Sequence, residues 1–418
     1  MILLEISKPN YDAAIFEVLP TLFLESFKIE LPEPYSEQKI KDKKILKLFT
    51  EETDISIIVI IDAMGTNQIS GFLYDQWTTL GKPTLSSVVP TATGNAIPSI
   101  YIGLPPELHG LVGQKFYLPE IGNYINTLNG TVIAEGVKAS LHEAGVNIRS
   151  FLWHQPIIFL PELDNFVFGD VLSTSLYGGL RDFYGERLQF LGYKTGYDAI
   201  NILVEATKQL AIKNKKGILF AYFHQLDSIG HLYGYNSTLF EQEAKLLNDY
   251  FRLLVERIEK LTTDIKKKIN IIALSDHGQV ILNDVIELSQ DKIELLSSLG
   301  LKNVLSSGRF KYVYAEKDAA IEALIDLLED YAIVMPINDA IKSGFWPLLD
   351  EYEEQFLNRA GSYVILPRKD IDLKAERTKK DDFFEDIGWE KRKLRGSHGG
   401  LTRDELEVPF IIFRFPND

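Results

Sequence analysis

The sequence predicts an α/β fold built on a central, largely parallel sheet flanked by helices, with a small α/β insertion as a cap. Three segments carry that prediction: ISIIVIIDAMG at residues 55–65, GILFAYFHQLDSIGH at 217–231 and INIIALSDHG at 269–278. Each is an apolar, β-branched or aromatic run that ends in an aspartate. Continuous apolar runs separated by helical patterns suit parallel strands covered on both faces. Asp62, Asp227 and Asp276 then fall at strand carboxyl ends, where open α/β sheets gather their ligands.

Taken in order, residues 1–50 read as an amphipathic extension packed on the core, broken by LPEPYSEQ and closed by the basic KIKDKKILK. The core is expected to take residues 51–285 together with 396–418, leaving 286–395 as a cap or insertion domain. Within the core, proline is tolerated near a helix start, so TGNAIP predicts a helix N-terminus, with Thr93 on the turn before it and Asn95 as a possible cap. NSTLFEQEAKLLNDYFRLLVERIEKL has apolar positions at helical spacing and reads as a long covering helix. RFKYVYAEKDAAIEALIDLLEDY and RAGSYVILPRKDI alternate strand-like and helical patterns, as a small cap over the crevice would.

Composition removes several classes of function. With 45% apolar and 25% charged residues the chain is globular, and with no cysteine it has no disulfide, thiolate nucleophile or cysteine-ligated zinc. A formal charge of -15 opposes an extended nucleic-acid surface, so any phosphate should meet a local site. The first residues have no basic start or sustained apolar run, and nowhere do roughly 18 apolar residues run together. A cytoplasmic protein without a membrane anchor is expected; the oligomeric state is left open.

Asp is poorly suited to strands and costly to bury unpaired, so three of them at equivalent strand ends call for a compensating cation. Any single one could equally be a helix cap or turn residue. Histidine supports the cation: there are seven, His109, His142, His154, His224, His231, His277 and His398. His231 lies one helical turn after Asp227, His277 directly follows Asp276, and His398 stands in the glycine-flanked RGSHGGLTRDELEVPFIIF. Six oxygen and nitrogen donors divide into two sites of three ligands, each with positions left for water or substrate. Strand alternation would turn His224 to the other face, in a supporting or core role, while His142 and His154 read as ordinary surface or core histidines. A Thr93 hydroxyl beside such cations and a helix N-terminus is placed to attack phosphorus, or serves simply as a cap. Phe116, Tyr117, Tyr177 and Tyr233 could form a leaving-group wall or belong to the core, and Arg395 reads as part of a solvated basic face or as a contact to a distal phosphate.

IDAMG, PTATGNAIPSIYIGLPPELHG, DSIGH, SDHG and GSHGGLTRDELEVPFI occur in this order. Together they resemble the alkaline phosphatase superfamily, specifically its type I phosphodiesterase/nucleotide pyrophosphatase family, over about residues 55–285 and 396–415. The resemblance implies an alkaline-phosphatase-like sheet and two divalent metal ions. Asp227, His231 and His398 would hold one, and Asp62, Asp276 and His277 the other. Zinc suits such a set, and manganese or iron would accept the same ligands. Thr93 becomes the nucleophile from its spacing to GLPPELHG, passing through a phosphorylated or nucleotidylated threonine. Two positions depart from the family: Gly94 stands where an aromatic residue usually stacks on a base, and Gln114 where an asparagine donates to a phosphoryl oxygen, a role that Gln114 or Asn95 could fill. The function implied is phosphodiester or nucleotide pyrophosphate hydrolysis on a small phosphate ester or nucleotide. A phosphomonoesterase or phosphonate hydrolase is the alternative, and a binding module that kept the fold without catalysis a third.

Overall fold

The three aspartate-terminated runs form neighbouring strands of one six-stranded sheet. In a computed structural model that describes residues 6–134, 137–141, 143–174, 187–349, 352–368, 370–374 and 394–416, its strands are Ile55–Ile61 (β1), Val167–Ser173 (β2), Leu188–Tyr193 (β3), Gly217–Phe223 (β4), Ile269–Leu274 (β5) and Ile411–Phe415 (β6). Their spatial order is β6-β5-β1-β4-β2-β3, parallel throughout except for β6, which runs antiparallel to β5. Every residue of β1, β4 and β5 is buried, as two covered faces require.

Alternation divides each strand between two cores. Ile58, Ile60, Phe220, Ile272 and Leu274 face a layer that includes Phe16, Leu19, Phe23 and Phe49 from the N-terminal segment. Ile57, Val59, Leu219, Ala221 and Ile271 face the helices Gly196–Ile212 and Thr238–Ile265, through side chains such as Leu203, Phe251 and Leu254. The 28-residue helix Thr238–Ile265 buries one stripe and starts at Ser237, whose hydroxyl accepts from the Phe240 amide.

The helix carrying Thr93 departs from the expectation in two respects. It runs Thr93–Ile102 with Ala92 as N-cap, so Asn95 lies inside it and donates its side-chain amide back to Pro90 O at 2.8 Å. Pro98 therefore sits in the helix interior, where it cannot donate to the carbonyl of Gly94 four residues earlier. The Thr127 hydroxyl supplies that missing donor, reaching Gly94 O at 2.9 Å.

Two smaller sheets stand beside the core. Lys115–Leu118, Asn123–Asn126, Thr131–Ala134 and Val137–Ser140 form an antiparallel sheet that the sequence patterns did not announce. The other is antiparallel in the order Leu301–Ser307, Phe310–Ala315, Tyr363–Pro367, Ala332–Pro336, and helix Asp318–Leu328 buries Ile321, Leu324 and Leu328 with Val304, Val313 and Ile365. Its first hairpin is tied to the C-terminal motif. Arg309 Nη1 meets Glu405 at 2.9 Å in full burial, and Arg309 N donates to His398 O at 2.6 Å. Among the described residues, no helix is long and apolar enough to cross a membrane.

Candidate active site

Asp62 is the residue immediately after β1, and its backbone still pairs with β4 through Phe223 O at 2.9 Å. At Ala63 the chain turns through the left-handed region, with a φ of 60°, and the Ala63 amide donates to Asp276 Oδ1 at 3.3 Å. Ser275, at the end of β5, braces the facing loop: its hydroxyl donates to His277 O at 2.7 Å and receives the Met64 amide at 2.9 Å. The glycine of SDHG is required by this crowding, because a Cβ on Gly278 would lie 2.0 Å from Asp404 O. After β4 the chain enters helix Gln225–Tyr233, which puts Asp227 and His231 on one face, with His231 Nε2 3.2 Å from Asp227 Oδ1. His398 closes the set, its Nε2 3.6 Å from the same oxygen and its ring stacked on His277 at 3.7 Å.

All three imidazoles are oriented by main-chain carbonyls. His231 Nδ1 donates to Gly396 O at 2.8 Å, His277 Nδ1 to Gly278 O at 3.1 Å and His398 Nδ1 to Thr91 O at 2.8 Å. A carbonyl only accepts, so each ring carries a proton on Nδ1, which leaves Nε2 as the nitrogen that faces the carboxylates. Burial lowers His277 to about 4 and His398 to about 3, keeping both neutral. Burial, with Asp276 and Asp227 close by, pushes the Asp62 carboxyl well up, and burial raises Asp276 to about 6. Burial also pushes Asp227 up, while the Gln279 amide that donates to its Oδ1 lowers it, as charge on the His231, His398 or His277 ring would.

The donor set fits divalent cations. Asp62 Oδ1 and Asp276 Oδ2 are buried without a hydrogen-bond partner, a costly state unless a positive charge lies between them. Two groups bring their donor atoms within 4.8 Å of one another: Asp227, His231 and His398, and Asp62, Asp227 and His277. The first is the trio expected from the sequence. In the second Asp227 appears beside Asp62 and His277, while Asp276 approaches through its Oδ2, 3.3 Å from His277 Nε2. Thr93 is at the same point, with Oγ1 3.1 Å from His277 Nε2 and at the first position of its helix.

The remaining predicted residues separate. A Cβ on Gly94 would meet Thr127 Oγ1 at 2.7 Å and Gln114 Cα at 2.8 Å, so the segment around Gln114 fills the space a side chain would need. Gln114 is half-buried and its backbone amide donates to Ser307 Oγ at 2.9 Å. The Asn95 side chain is wholly buried and committed to Pro90 O. His224 lies past the strand rather than in it, half-buried beside Ser228 at 3.5 Å, which removes the alternation argument for a core position. His154 binds Leu108 O at 2.9 Å, Phe116 belongs to the core, and Tyr117 packs on Tyr124 and Tyr314. Tyr233 is partly exposed and Arg395 is exposed, while His142 and Tyr177 lie outside the described residues.

Sequence reasoning missed the supporting side chains. Tyr222 donates its hydroxyl to Asp62 Oδ2, and Gln279 donates to Asp227 Oδ1 at 2.6 Å. Thr91 accepts the Gly399 amide at 3.0 Å and donates to Gly400 O at 2.8 Å, shaping the turn that bears His398. The available signal was modest: a polar side chain at the end of an apolar strand, or directly after SDHG.

Comparison with known proteins gives a family and a fold. The family model for type I phosphodiesterase/nucleotide pyrophosphatase matches residues 78–401. An uncharacterized pyrophosphatase/phosphodiesterase of Schizosaccharomyces pombe is 25% identical over 240 residues, which cover 56% of this chain and 45% of that protein, so the chain spans less than half of its length. Murine ectonucleotide pyrophosphatase/phosphodiesterase 5 superposes with a TM-score of 0.59 at 13% identity, covering 85% of this chain and 87% of that one. Phosphonoacetate hydrolase from Sinorhizobium meliloti, in complex with phosphonoformate, gives 0.56 at 17% identity, with 86% and 90% covered. At those identities the structural likeness establishes the fold. The chain belongs to the type I phosphodiesterase/nucleotide pyrophosphatase family.

Proposed function

We propose that the chain is a two-cation hydrolase of phosphoric esters, of the phosphodiesterase/nucleotide pyrophosphatase type, with Thr93 as its nucleophile. The observation that carries this reading is the Thr93 hydroxyl, 3.1 Å from Nε2 of His277, which belongs to one of the two donor groups. Asp227, His231 and His398 would hold one cation, and Asp62, Asp276 and His277 the other, with zinc suited to imidazole and carboxylate donors. When bound, such cations supply Lewis-acid stabilisation of charge on the transferring phosphoryl group.

The chain's own part is positioning. The N-terminus of helix Thr93–Ile102 favours an anion beside Thr93. Thr93 Oγ1 forms a bond to phosphorus as the bond from phosphorus to the leaving oxygen breaks, and the hydroxyl proton departs with that leaving oxygen, which gives a phosphoryl- or nucleotidyl-threonine. Water then cleaves that ester and restores the hydroxyl. The Asn95 amide donates to Pro90 O and Gln114 stands beside Gly94, which supports assigning the phosphoryl oxygen to the Gln114 amide.

One observation favours a second reading. The space beside Gly94 is filled by Gln114 and Thr127, which leaves no side chain there to stack on a base, and this suits a compact phosphonate or phosphomonoester. Hydrolysis of bis(p-nitrophenyl) phosphate, p-nitrophenyl phosphate and phosphonoacetate, by zinc- or manganese-loaded protein and by Thr93→Ala, tests both. Diester turnover that disappears in Thr93→Ala with its cations retained supports the first reading. Preference for the compact substrates selects the second, and turnover that survives the substitution refutes Thr93 as nucleophile.

A further inference from the structure

Gln279 follows His277 by two residues and is fully buried. Its Nε2 donates to Asp227 Oδ1 at 2.6 Å and lies 3.2 Å from Asp227 O. That same Oδ1 is the oxygen nearest His231 Nε2, at 3.2 Å, and His398 Nε2, at 3.6 Å. The other end of the amide is wedged between glycines. A Cβ on Gly230 would lie 1.9 Å from Gln279 Oε1, and one on Gly396 would lie 3.4 Å away. The residue after Gln279 opens the short strand Val280–Ile281, which pairs with Gly396–Ser397 just before His398. One side chain thus stands where the Asp227–His231 helix, the His277 loop and the His398 strand converge.

We infer that Gln279 is a positioning residue for one cation site, the one formed by Asp227, His231 and His398. The inference rests on the reading of those three residues as ligands. A neutral amide is well matched to this position, since it fixes the rotamer of the Asp227 carboxylate and adds no positive charge to compete with a cation, as a lysine would. Gly230 and Gly396 are the accommodation this requires, because any side chain on Gly230 would occupy the position of the amide.

The test is metal binding without substrate. Zinc and manganese stoichiometry and competition affinities are measured on the full chain, wild type against Gln279→Met and Gln279→Glu, with His231→Ala marking which site is which. Methionine keeps the volume and loses the donor, whereas glutamate keeps the shape and sets a like charge against Asp227. The expected result is a loss of about 10- to 100-fold in affinity at the site that His231→Ala also removes, larger for glutamate, with the other site unchanged. The melting temperature of the metal-free protein should match wild type in Gln279→Met, which separates positioning from a general packing defect. The inference is overturned if neither site weakens, if both weaken together, if only the other site weakens, or if wild type binds no divalent cation. Wild type that holds two cations but hydrolyses no phosphoric ester would sink the proposed function and leave this inference standing.

Discussion

Replacing Thr127 by valine should strand the carbonyl of Gly94, and Pro98 makes the magnitude calculable. In a regular helix Gly94 O would accept from residue 98, but proline has no N–H, and the Thr127 hydroxyl takes that role at 2.9 Å. Thr127 is fully buried, so no water replaces it, and an unsatisfied buried carbonyl costs about 1–3 kcal/mol. The hydroxyl also lies 3.1 Å from Gln114 O and 3.3 Å from Gly113 O, but its single proton serves one acceptor at a time, so the loss stays within the range of one bond. Pro98→Ala restores the amide. In that background Thr127→Val should cost less than about 1 kcal/mol, giving a coupling of about 1–2 kcal/mol in a double-mutant cycle. Urea unfolding of the four proteins, compared at constant slope, measures it. A coupling below about 0.5 kcal/mol would show that Thr127 is not substituting for the missing helix donor.

Three further expectations follow from buried charge. Burial raises the Glu107 carboxyl from 4.5 to about 8, so the fold favours its protonated form; that contribution is complete below about 4.5 and is lost as pH climbs through about 8. Glu107→Gln should flatten this fall in stability across that window, and a profile that stays parallel to wild type would count against the assignment. Arg309→Leu removes the guanidinium from the buried Glu405 carboxylate, leaving it the neutral donors of Gly400 and Thr402, and should cost about 3–5 kcal/mol, partly recovered in Arg309→Leu with Glu405→Gln; denaturant midpoints decide it. Chelation of the cations should lower the melting temperature, because each cation held at a hundred times its dissociation constant adds about 2.7 kcal/mol. An unchanged melting temperature on adding EDTA would contradict cation occupancy.

The sheet was legible wherever a strand is buried on both faces, because β1, β4 and β5 are mainly apolar runs, interrupted by Ser56 in β1 and Asn270 in β5, that lead into an aspartate. β2 and β3 were not, since VFGDVLS and LQFLGY mix glycine and polar residues into short runs that local pattern does not separate from loop. The helix start was misread at Asn95 because a capping asparagine and one bonded back to Pro90 have the same local sequence. The candidate donors stood out only as a set, since an Asp at a strand end is alone more often a cap or turn residue, and the structure brings that set together. Their supports did not: Tyr222 reaches Asp62 across 160 residues, and Gln279 reaches Asp227 across 52. Contacts of that separation depend on how the strands stack, which no local window contains.

The carbonyl partners of His231, His277 and His398 place the ring protons through peptide groups. No side-chain substitution deletes a peptide group. Where a carboxylate holds the far nitrogen of a histidine, a single point mutation frees the ring to change tautomer; here the oxygens belong to the main chain of Gly396, Gly278 and Thr91, and a substitution reaches them only by moving that chain, as a Cβ on Gly278 or Gly396 would. Tautomer choice at this centre is inherited from the route of the chain, and it lasts as long as that route does.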